Sequence, residues 1–125
     1  MTGQKEKADR FAEKLCEYSQ SLKEDTYSTS IHYRNQLAIY CHYASDKPQE
    51  FVKTLDTIFF EKNDQMDWFT DMKSGWYIRF ENDPEYQKLF NKIEAETHRQ
   101  RAEVIEYLKE EGDWDSAWDE ELGLE

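Results

Sequence analysis

The side chains able to do chemistry are few and badly spaced for it. His32 and His42 lie ten residues apart, and His98 sits among charges far downstream. Ten residues is nearly three helical turns, so these two rings cannot grip one ion without help from elsewhere. No HExxH, no paired-cysteine spacing and no calcium-loop pattern occurs. Asp64, Asp67 and Asp71 are loosely spaced acids and read as structural or solvated. Cys16 and Cys41 lack a histidine arranged to activate a thiolate. His42 follows Cys41 directly, and adjacent residues in a helix point to different sides. With only 4 glycines, phosphate-cradling loops are absent, and so is a GxSxG elbow. Among 28 acids nothing selects a catalytic pair. The expectation is a protein without catalysis, metal or cofactor.

The elements that position these residues read as helices. In residues 4–23 the apolar positions Ala8, Phe11, Ala12, Leu15, Cys16 and Leu22 recur at gaps of three and four, with Ser19 as a weak point in the stripe. Residues 24–30 are polar and read as a turn with an N-cap. A second helix then runs to about Ser45 with two stripes. One is Tyr27, Ile31, Leu37, Ala38, Cys41 and Ala44; the other is Tyr33, Tyr40 and Tyr43. Asp46-Lys47-Pro48-Gln49 reads as the start of a third helix, with Asp46 as cap and Gln49 closing a capping box. That helix places Phe51, Val52, Leu55, Ile58 and Phe59 on one face. The very short connection makes helices two and three antiparallel neighbours. Residues 62–82 are less regular; a short helix near 65–73 and a second short piece are expected. Asp83-Pro84 caps a last helix running from Pro84 to Glu110, which Gly112 stops. The expected fold class is all-α: antiparallel helix pairs closed by a long C-terminal helix. Residues 1–111 form a single helical domain and 112–125 an acidic tail. The two cysteines fall on apolar faces. Buried reduced thiols are the simpler expectation, with a disulfide as the alternative.

Leu37-Ala38, Cys41, Ser45-Asp46, Phe51, Leu55 and Phe59 together resemble a degenerate tetratricopeptide repeat. Downstream, Trp76 to Phe80, then Asp83-Pro84-Glu85-Tyr86 through Phe90, then Gln100-Arg101, resemble the closing segment of tetratricopeptide regions in bacterial regulators and signalling proteins. The resemblance covers roughly residues 34–110. It implies an α-solenoid fragment, a protein or peptide as partner, and a chain that is the C-terminal part of a larger regulatory protein.

Two sets of side chains are candidates for partner binding. Tyr33, Tyr40 and Tyr43 could line a concave helical face and hold an extended peptide, although such stripes usually pack as core. Trp114 and Trp118 lie in the tail. There they either fray into solvent or dock while the surrounding acids meet a basic surface. Residues 110–125 hold eight acids and no base, which leaves −4 of the net −12 for the remainder. That sign disfavours direct nucleic-acid binding and adhesion to anionic membranes. An acidic inhibitor or nucleic-acid mimic acting on a basic protein is therefore the competing reading, and self-association is a further use for an aromatic surface. No apolar run approaches a membrane span, and the N-terminus has no apolar leader, so a cytoplasmic location is expected. Disorder is opposed by 4 Trp, 8 Tyr and 7 Phe, each a large ring seeking burial.

Overall fold

The computed structural model describes residues 2–23 and 31–123. The expected turn and cap at 24–30, with Tyr27, lie outside them. The described residues form helices α1 (Thr2–Lys23), α2 (Ile31–Ala44), α3 (Pro48–Asp56), α4 (Trp68–Lys73), α5 (Pro84–Glu110) and α6 (Ala117–Glu121). A wide π-type turn, Thr57–Glu61, extends α3, and a 3-10 turn, Ile78–Phe80, precedes α5. No strand occurs among the described residues, so the fold is all-α. No helix among them is long and apolar enough to cross a membrane. The chain divides into two compact units, Met1–Asn91 and Lys92–Glu125, with α5 contributing to each.

In the first unit α1 lies on α2. Of the expected α1 stripe, Ala12 and Leu22 are buried together with Ser19, whereas Phe11 is exposed. The cysteines correct the expectation of free thiols: Cys16 and Cys41 form a disulfide, with their Cα atoms 4.9 Å apart. Adding two helix radii of ~2.3 Å puts the axes roughly 9–10 Å apart at this point, ordinary helix packing. The bond therefore follows from the register of the two helices, which no local spacing reveals. Cys16 Sγ also lies 3.4 Å from Ser45 Oγ.

Asp46 plays a different part from the one expected. Its φ is 55°, the left-handed region. Its amide donates to the Tyr43 carbonyl and the Lys47 amide donates to the His42 carbonyl, at 3.1 and 3.0 Å. This pair of bonds is a Schellman closure, so Asp46 ends α2 rather than capping α3. Lys47 occupies the cap position with no side-chain bond, and Pro48 begins the helix. A connection this short cannot give one residue both tasks. Across it, His42 meets Thr54, Tyr43 meets Phe51 and His32 meets Asp64. The lower number falls as the upper one rises, so the segments run antiparallel.

The core is aromatic. Of the expected α3 face, Phe51, Leu55, Ile58 and Phe59 are buried and Val52 is half-buried. Around Phe51 stand Tyr77 at 4.8 Å, Phe80 at 5.1 Å and Tyr86 at 6.0 Å between ring centroids, mostly edge to face. Burying one such side chain contributes about 1.5–3 kcal/mol. On α2 the buried aliphatic residues are Leu37 and Ile39, while Ile31 is 64% exposed, against its place in the expected stripe. Asp83 caps α5 as expected: its Oδ1 accepts from the amides of Glu85 and Tyr86, both at 3.0 Å.

In the second unit α5 ends at Gly112, whose φ of 78° suits glycine. Its amide donates to the Lys109 carbonyl and that of Asp113 to the Leu108 carbonyl, another Schellman closure. The chain then folds back as α6.

Candidate partner-binding surface

His32, His42, Asp64 and the two cysteines are committed to structural contacts. His32 Nδ1 lies 2.7 and 2.8 Å from the two Asp64 oxygens, and Asn35 donates to Asp64 Oδ2 at 2.8 Å. Asp64 thus ties the segment after α3 back onto α2. His42 Nε2 lies 3.1 Å from Thr54 Oγ1, a contact between α2 and α3. Burial, then the Asp67 charge, raises the Asp71 carboxyl above its usual range, with His32 pulling the other way. Among the described residues no group of three His, Cys, Asp or Glu side chains is assembled to hold a metal ion.

The three tyrosines of α2 do not share one open face. Tyr43 packs edge-on against Tyr77 and Phe80 at 5.4 and 5.1 Å. The Arg79 guanidinium covers it at 4.9 Å and donates to its backbone carbonyl at 2.9 Å. Tyr40 is half-buried, and burial, then the Asp71 charge, raises its hydroxyl pKa. Tyr33 is exposed; the Tyr18 hydroxyl across on α1 is the main cause raising its pKa, followed by burial. The stripe is therefore split: Tyr40 and Tyr43 are half-buried, the latter against the aromatic core, and Tyr33 is exposed.

Trp114 and Trp118 are brought together, with ring centroids 5.2 Å apart and planes at 86°. Trp114 Nε1 donates to Asp119 Oδ1 at 3.2 Å. The Lys109 ammonium sits 5.4 Å over the Trp114 ring and 3.8 Å from Asp119. Arg101 reaches from α5 to the Leu122 carbonyl at 3.3 Å. The tail is thereby held as a short return on α5, and Thr97, Arg101, Val104, Leu108, Trp114 and Leu122 line a shallow hollow of about 410 Å³.

Around this return, apolar surface stays open. Val104 is 57%, Tyr107 59%, Trp118 39% and Leu122 47% exposed. Residues 92–125 carry twelve acids against four Lys and Arg, so −8 of the −12 resides here. Glu103 stands four residues before Tyr107 on the same helix face, and Glu111 follows in the turn after α5. The tryptophans were legible in the sequence. Val104, Tyr107 and Leu122 were not singled out, because their exposure depends on how little of α5 the return of α6 covers.

No protein-family model, no curated protein and no solved structure matches this chain.

Proposed function

We propose that the chain is a non-enzymatic protein-interaction module, a degenerate tetratricopeptide-like helix pair (α2 and α3) closed by α5. Its C-terminal unit holds a basic, amphipathic segment of a partner protein. The observation that carries this reading is the exposed Val104, Tyr107, Trp118 and Leu122 surface within a unit of net charge −8. Apolar side chains of a partner helix would bury against these residues, and its Lys and Arg would meet the surrounding acids. Complementary charge would speed encounter and fix orientation more than it would raise affinity. An acidic nucleic-acid mimic is the second reading, favoured by the charge alone. The resemblance to regulators suggests a place at the end of a larger protein. Cytoplasmic thiols are kept reduced, so a cytoplasmic setting requires the Cys16–Cys41 bond to be open there.

The test is titration with a lysine- and leucine-rich amphipathic peptide, read by tryptophan fluorescence. Tight, salt-sensitive binding is expected, weakened about tenfold by Val104→Ser or Trp118→Ala. Binding that survives deletion of residues 111–125 sinks the proposal. Binding that needs the acids but ignores Val104→Ser favours the mimic.

A further inference from the structure

The first unit holds a groove of the opposite sign. It runs between α2 and the α3 segment, with a volume of about 1010 Å³. Ile31, Ala38 and Ile58 supply apolar walls. Arg34 on α2 and Lys53 and Lys62 on the facing segment line it, and Glu50 is the single acid among the lining residues. Among the described residues no acid pairs with any of these three cations. Asp64, the nearby carboxylate, is taken up by His32 and Asn35. Arg34 Nε is shielded from solvent and has no acceptor among the described residues. A carboxylate in the groove would meet the guanidinium of Arg34, one of its lining residues.

We propose that this groove binds an extended, carboxylate-bearing peptide segment, at a site separate from the one on the second unit. The spacing of the cations argues for a peptide rather than a compact anion. Lys53 on α3 and Lys62 just after the π-type turn are nine residues apart, so the positive charge is spread along the groove rather than gathered at one point. Because the helices are antiparallel, Arg34 stands toward the Lys62 end and His42, bonded to Thr54, toward the Lys53 end. The α2 wall from Ile31 to His42 is about 16 Å long, enough for about five extended residues at ~3.3 Å each. The ligand this describes has an acid at each end and small or β-branched residues between, lying on Ala38 and Ile58.

Fluorescence anisotropy with a labelled Glu-Thr-Val-Thr-Glu peptide tests the assignment, on the intact chain. The Gln-Thr-Val-Thr-Gln peptide should bind about tenfold more weakly or not at all. Lys53→Glu and Lys62→Glu lie on exposed side chains, so the fold should survive, as circular dichroism would verify; each should weaken binding about three- to tenfold. Arg34→Gln should weaken it further. Three results would overturn the proposal: equal affinity for both peptides, binding indifferent to both lysine variants, or competition by inorganic phosphate at concentrations comparable with the peptide.

Discussion

Opening the Cys16–Cys41 bond should release α1 while the aromatic core of the first unit stays folded. Between residues 3 and 22 only Ala12, Ser19 and Leu22 are buried, so α1 has little apolar hold of its own. Helices in proteins draw most of their stability from packing, so an undocked α1 should fray. The bond works by restricting the undocked state. With α2 folded, the free segment from Cys16 to Ile31 spans fifteen residues, and closing a loop of that length is worth about 3 kcal/mol. That energy is comparable with the burial of Leu22 and Ala12 together, so losing it should raise the opening of α1 roughly a hundredfold.

Amide hydrogen exchange with and without dithiothreitol measures this directly. Protection in residues 5–22 should fall by about two orders of magnitude on reduction, while protection in α3 is retained. The Cys16→Ala/Cys41→Ala double variant should match the reduced protein and ignore dithiothreitol. Unchanged exchange in α1 after both thiols have been shown free would refute the loop-closure reasoning. Absence of a Cys16–Cys41 linked peptide from unreduced, folded protein would refute the helix register itself.

Two further outcomes are expected. Asp83→Ala removes the acceptor for the Glu85 and Tyr86 amides and should cost about 1 kcal/mol, read as a lower chemical-denaturation midpoint; Asp83→Ser should restore most of it. Tyr86 is pushed up to about 12, first by burial and then by Tyr43 and Glu81, and burial also raises Tyr77 strongly. Between pH 10 and 12 the folded state then holds protons that the unfolded state has released, so stability should fall as pH rises through that window. A chemical-denaturation midpoint unchanged from pH 10 to 12 would contradict it.

The sequence was most informative where the signal is local. Pro84–Glu110 is bounded by a cap, a proline and a glycine whose effects reach only a few residues, and all three act as read. The α3 face was legible because a single stripe at helical spacing has one place to go. On α2, apolar residues occur on several sides, and the sequence cannot say which side meets α1, which meets α3 and which meets water. Hence Ile39 is fully buried while Ile31 is exposed, and the tyrosines part company. The disulfide and the Arg34, Lys53 and Lys62 groove share that cause. Each joins residues of two helices, and only the register between helices brings them together.

The middle of α5 shows how an acidic segment sorts its charge. Arg99 bonds Glu96 at 2.6 and 2.9 Å and Glu103 at 2.8 Å, all within one helix face. Its hydrogen bond is the main cause holding the Glu96 carboxyl at about 2, against a smaller opposing effect of burial. This polar stretch therefore neutralises itself. Farther along, Lys109 takes Asp119. Glu106, Glu110, Glu111, Glu120 and Glu121 have no cation of their own among the described residues. They fall near the end of α5 and in α6, the segments that also leave Tyr107 and Trp118 open to solvent. Unpaired acids and unburied rings each carry an energetic penalty, repulsion for the first and hydration for the second. The basic amphipathic segment proposed above would relieve both at once, burying the rings while its cations meet the acids.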